Sequence, residues 1–231
     1  GHPDVDRQVE TAHAVMSAAP GRSQASSHRS PQGEGTPVSA APAVAVVGAG
    51  NMGGAMAARL VERGWSVVVC DIDPVRQQQA RQAGAHVVAT PVEAASAMRS
   101  DAVLIVCVVD AAQSVDVLFG PTGAAGALKP GHTVMLCPTL APDDVEAIAA
   151  RLRSAGIGCL DAPMSGGPAR AREGTMSLML AGDQALQAHH QPMLDVLASR
   201  AFRVGERVGD AARTKLVNNL LAGINLVGAA E

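Results

Sequence analysis

At 231 residues with 48% hydrophobic side chains, the chain holds the core of one good-sized domain, or of one domain and part of another. A net charge of -3, with Lys and Arg scattered among the acids, gives no basic stripe for nucleic acid. No apolar run approaches the ~18 residues of a membrane span, and the longest, residues 102–109, has the length of a buried strand.

Cys70, Cys107, Cys137 and Cys159 lie far apart, form no Cys-x-x-Cys pair and each fall in an apolar run. They read as four reduced core thiols rather than disulfides or a metal site, which implies a cytoplasmic location. Residues 1–42 are rich in Ser, Pro, Gly, Gln and His and lack a sustained apolar period. They are expected to be a disordered tail without chemistry, with at most a marginal helix over 5–16 and no secretory signal.

Residues 43–47 are small and β-branched, as in a strand buried on both faces. Gly48-Ala49-Gly50-Asn51-Met52-Gly53 follows. In a dinucleotide site, Gly48 would make the tight turn, Gly50 would let backbone approach a pyrophosphate, and Gly53 would let the next helix pack on the strand. That helix is predicted over 52–63, closed by Gly64. A G-x-G-x-x-G alone is weak evidence. Set between strand and helix, and followed by a strand over 66–70 ending in Asp71, it becomes a strong dinucleotide signal.

Asp71 lies where the adenosine ribose should arrive, and a carboxylate there accepts both ribose hydroxyls while repelling a 2′-phosphate, so NAD is expected over NADP. The competing role, capping the helix that starts at Pro74, is assigned to Asp73.

Strands are predicted over 87–88, 102–108, 133–136 and 157–160, alternating with helices over 91–98, 111–118 and 142–154. Such alternation implies a doubly wound parallel α/β sheet with ligands beyond the carboxyl ends of its strands. Val109 and Thr139 sit at two of those ends and become cofactor candidates, although Thr139 could equally cap the helix at Pro142.

Asp161-Ala162-Pro163-Met164-Ser165-Gly166-Gly167-Pro168 follows a strand. Gly166 and Gly167 can turn two amides toward a carboxylate, and Ser165 adds a hydroxyl donor; the bland alternative is a flexible turn. Farther on, Lys215 and Asn219 are four apart and share one helical face. A lysine amine within reach of a carbinol can take its proton as hydride leaves, and its ammonium can return the proton in the reverse direction, with Asn219 orienting both. A lone helical lysine is otherwise usually solvated. Residues 213–231 read as one helix, about 28 Å long, with apolar residues on more than one stripe.

The glycine loop, the Ser-Gly-Gly loop and the segment from Gly209 through Lys215, Asn218 and Asn219, in that order, resemble the β-hydroxyacid dehydrogenases. This family includes 3-hydroxyisobutyrate dehydrogenase and tartronate semialdehyde reductase, and the resemblance covers roughly residues 43–231. It implies a Rossmann domain over 43–208 with Ser165, Gly166, Gly167 and Asn218 binding substrate, and Lys215 and Asn219 in catalysis. It further implies that 209–231 begin an interdomain helix leading to an all-helical domain, here apparently missing, through which the family forms homo-oligomers. Met164 replaces the family's usual Val, and Ala211 stands where a second glycine is frequent. Ile72, where NADP-dependent members tend to carry Arg, again favours NAD.

Imine reductases of the superfamily usually lack the lysine, and 6-phosphogluconate dehydrogenases carry His-Asn where this chain has Asn218-Asn219. An alcohol or carbonyl substrate without a sugar phosphate is therefore implied. Asp110-Ala111-Ala112-Gln113 and Cys137-Pro138-Thr139-Leu140 look most like the L-threonate dehydrogenase branch. The expected activity is NAD-dependent oxidation of a small hydroxy acid. A non-catalytic NAD-binding module and an inactive fragment stay open beside it.

Overall fold

Four short apolar runs, β1 (Val44–Val47), β2 (Val67–Cys70), β4 (Val103–Val106) and β5 (Thr133–Leu136), are buried at every position. They fill the middle of a sheet in a computed structural model that describes residues 43–229. The expected tail, its candidate helix and the last two residues lie outside the described residues. With β3 (His86–Val88) at one edge and β6 (Gly158–Asp161) on the other side, six strands run parallel in the order β3-β2-β1-β4-β5-β6. The order reverses between β1 and β4, which opens a crevice beyond their carboxyl ends.

Helices α1 (Asn51–Glu62), α2 (Pro74–Gln82), α3 (Pro91–Ser96), α4 (Ala111–Phe119) and α5 (Pro142–Ser154) connect these strands. Side chains alternate across the sheet, so Val44 and Val46 pack with Met56 and Leu60 of α1 on one face. Ala45 and Val47 pack on the other with Ala94, Leu118 and Ile148. Local chemistry sets several helix starts: Asp73 accepts the Val75 amide at 2.8 Å, and Thr90 forms a capping box with Glu93. Helix α5 starts from Ala141 without a side-chain cap, so Thr139 is free of the role that competed with cofactor contact.

Beyond β6 the sheet continues in a way the sequence reading left undivided. Strands β7 (Met164–Ser165) and β8 (Met176–Gly182) enclose α6 (Gly167–Glu173). After them come α7 (Gln184–His189), α8 (Gln191–Leu197) and β9 (Ala198–Gly205). Strand β8 runs antiparallel to β6 and β7 and parallel to β9. The long helix α9 (Asp210–Gly228) starts three residues earlier than predicted.

All four cysteines are free thiols. Burial pushes Cys70 up to about 11 and Cys107 and Cys159 up to about 12, so each stays protonated and unreactive near neutrality. Among the described residues no His, Cys, Asp and Glu side chains group as metal ligands, and no helix is long and apolar enough to cross a membrane.

Candidate active site

Cofactor-loop geometry begins at a close contact. A Cβ on Gly53 would lie 1.9 Å from the Gly48 carbonyl oxygen, so only glycine lets α1 begin against the turn. Gly50 is the N-cap of α1, has no side-chain cap and would meet nothing within 4 Å of an added Cβ. The start of α1 is therefore open at Gly50, and an uncapped helix start is where a phosphate binds. These features fit a dinucleotide, with Asn51 and Met52 on the same turn.

Asp71 braces this loop from β2. Its Oδ2 accepts the Ala49 amide at 2.5 Å and its Oδ1 accepts the Asp73 amide at 2.8 Å. An ionised carboxylate has about four acceptor positions, so capacity is left for a ribose hydroxyl. Beside it Ile72 is 98% exposed, an apolar side chain left uncovered by the described residues.

A cavity of about 460 Å³ joins the remaining pieces at the carboxyl ends of β1, β4 and β5. Gly50, Asn51 and Met52 line one end, Val109 and Thr139 the middle, and Ser165, Gly166, Gly167, Lys215 and Asn219 the other. Gly48, Gly53 and Asp71 stand behind the wall or to its side, and Asn218 is half-buried on α9 off the lining. Gly166 and Gly167, both in the lining, have φ of +128° and +77°, a backbone that side chains resist.

Lys215 is one of only two lysines among the 18 basic residues, the other being Lys129. It is buried and forms no ion pair among the described residues, and burial lowers its pKa below the usual lysine value. A positioned amine next to donors for an acid is equipped for proton transfer. A larger cavity of about 1150 Å³, between α5, α7 and the start of α9, holds none of the motif residues. Its cations are partly spent, Arg213 on Glu146 and Arg207 on Asp210.

The family defined by the NAD binding domain of 6-phosphogluconate dehydrogenase matches residues 43–205. The chain belongs to that family. An L-threonate dehydrogenase from Cupriavidus necator is 39% identical over 188 residues, covering 81% of this chain and 62% of that protein. The crystal structure of a 3-hydroxyisobutyrate dehydrogenase from Salmonella typhimurium matches with a TM-score of 0.74 at 35% identity, over 81% of this chain and 64% of that one. An imine reductase variant from Myxococcus stipitatus, in complex with NAD+, gives a TM-score of 0.75 at 26% identity, over 82% and 63%. This chain thus spans 62% of the length of the first of these relatives. The expected Rossmann fold and the β-hydroxyacid dehydrogenase resemblance both hold.

Two contacts of this family member escaped the sequence reading. Arg76, in the first turn of α2, donates from Nη2 to Asn51 Oδ1 at 3.0 Å and so closes one flank of the cofactor loop. Asp161, the first residue of the Ser-Gly-Gly motif segment, turns away from the cavity and accepts amides of α9. Ala211, where the family frequently has a second glycine, sits buried inside helix α9, and the left-handed position is Gly209.

Proposed function

We propose that this chain carries the cofactor loop and the acid/base lysine of an NAD-dependent dehydrogenase for a small hydroxy acid. A four-carbon sugar acid such as L-threonate is the favoured substrate. The observation that carries this reading is the single cavity in which Gly50–Met52, Ser165–Gly167 and Lys215 meet. NAD, when bound, supplies the hydride acceptor. Residues 166 and 167 would offer amides, and Ser165 its hydroxyl, to the substrate carboxylate. Lys215, as the neutral amine, would take the hydroxyl proton during oxidation, and its ammonium would return it in reduction. Asn219, one turn on, would hold the same oxygen.

The residues suit NAD more than NADP, because Asp71 would meet a 2′-phosphate as a like charge. Asp71→Ala is expected to weaken NAD and narrow the preference over NADP, each by about 1–2 kcal/mol. Because the same carboxylate holds Ala49, part of the NAD loss is loop disorder that NADP shares. Calorimetry with both cofactors checks this, and an unmutated protein that prefers NADP would contradict the ribose assignment. Ser165→Ala is expected to raise KM for the acid more than it changes NAD affinity, since the hydroxyl meets the carboxylate in both ground and transition states. A loss confined to NAD affinity would mean that the acid binds elsewhere.

The substrate itself is tested by NADH formation across a panel of hydroxy acids, with L-threonate expected to lead. A lead by 3-hydroxyisobutyrate, or by tartronate semialdehyde in reduction, would reassign the substrate, and NAD binding without any turnover would favour a binding module. The free, protonated thiols support a cytoplasmic setting.

A further inference from the structure

One buried carboxylate off the cavity wall ties the segment that leads to Ser165 to the start of the helix that carries Lys215. Asp161 ends β6 at 1% exposure, four residues before Ser165. Its Oδ2 accepts the backbone N–H of Gly209 and of Ala212, each at 2.9 Å. Helix α9 needs such an acceptor, because its N-cap Gly209 has no side chain to supply one. Asp210, the acid in its first turn, is engaged by Arg207 and Arg213 instead. The cap therefore arrives from 48 residues earlier in the chain. Ala212 lies less than one turn before Lys215, so one bonded amide sits just ahead of the lysine and the other, at Gly209, sits at the helix start.

We propose that Asp161 is the positioning residue for Lys215, capping α9 from the end of β6 and so holding the lysine against the Ser165–Gly167 loop. Asp161 reaches neither the cavity nor substrate; its effect passes through the helix start. Burial raises its pKa above the usual carboxylate value, backbone bonds from Ala212 and Gly209 work against that rise by favouring the anion, and nearby Asp210 adds to it. The proposal rests on Lys215 being the proton-transfer group, but its test does not.

With only Lys129 and Lys215 in the chain, ε-¹³C-lysine labelling yields two side-chain signals, one of them an internal control. In Asp161→Ala, well below the melting temperature, the Lys215 midpoint is expected to rise toward the ordinary lysine range as the uncapped turn releases the side chain to water, with Lys129 unchanged. Asp161→Asn, which keeps an acceptor oxygen, should fall between the two. An exposed, displaced lysine should also lower kcat by about 100-fold while NAD affinity holds. If Asp161→Ala melts earlier yet leaves the Lys215 midpoint in place, Asp161 is a structural cap only and the proposal fails. Should neither variant fold, acid titration of the unmutated protein decides: the Lys215 signal should move with the Gly209 and Ala212 amides at one midpoint, and a flat Lys215 signal overturns the proposal. Retained turnover in a Lys215 variant would sink the catalytic reading and with it the expected fall in kcat, whereas the Lys215 midpoint decides separately whether Asp161 places the side chain.

Discussion

Replacing Lys215 by methionine is expected to lower hydroxy-acid oxidation by about two to four orders of magnitude, the usual worth of a positioned acid or base, with NAD affinity near that of the parent. Methionine keeps the stem's packing and removes only the amine. The rate should be compared both in this chain and in one extended to the relatives' length, with NAD binding followed by calorimetry. Turnover within a few-fold of the parent would remove Lys215 from the chemistry. The pH dependence gives a second reading. Burial depresses the Lys215 pKa, so the amine that accepts a proton becomes available at lower pH than for a free lysine. Oxidation should therefore rise with pH through that lowered value and reduction should fall, and both trends should vanish in Lys215→Met. Stability follows the same linkage. Below the folded-state pKa the lysine is charged in both states and its burial cost is complete; above the unfolded value it is neutral in both and the cost is gone. Between them the unfolded chain binds more protons, so stability rises with pH, and Lys215→Met should melt higher at neutral pH than the parent.

What the sequence shows of this fold depends on how local the cause is. Helix α5 and strand β5 have the predicted bounds, because Ala141-Pro142 starts the helix and Ala155-Gly156 ends it, while β5 is a bare apolar run between turns. The Asp73 cap is likewise a matter of two neighbouring residues. Residues 164–205 resisted division because their elements are short and poorly punctuated. Helices α7 and α8 meet at His190 with no glycine between them, and β9 has Arg200 and Arg203 three apart among small and apolar residues, which gives it no period-2 pattern. The antiparallel entry of β8 depends on the course of the Ser-Gly-Gly loop, which spacing does not reveal. Within the site, the glycine loops and Lys215 were visible because their residue types are uncommon in those positions. Asp161 was visible as a motif letter, but its work on α9 joins positions 48 and 51 residues apart. Asn218 shows the reverse case. It matches the family segment, yet the turn of α9 carries it off the cavity wall that Lys215 and Asn219 share.

The far part of α9 should drive self-association of the 231-residue chain. Only Ala211, Ala212 and Lys215 of this 19-residue helix are buried. Leu216, Val217, Leu220, Leu221, Ile224, Leu226 and Val227 are 43–74% exposed, and at 3.6 residues per turn all but Leu226 fall on one broad face of about 140°, rather than on several stripes as the sequence suggested. An apolar face this broad is normally covered, and an isolated helical segment of this length is marginal in water. Under the proposed division, residues 209–231 begin a helical domain that would supply the cover. In this chain the nearest apolar surface of matching length is the same helix of a second copy, and contiguous exposed patches of this kind promote association. Light scattering and sedimentation over a range of concentrations should show dimers or larger species, and Ile224→Glu with Val227→Glu should return the chain to monomer. Both positions lie beyond Asn219, so NAD binding should survive the double substitution, which separates loss of association from loss of fold. A chain extended to its relatives' length should bury the same face and lose the sensitivity of α9 to protease. A clean monomer at high concentration, with α9 resistant to proteolysis, would mean that the helix is stable bare and that its apolar surface needs no partner.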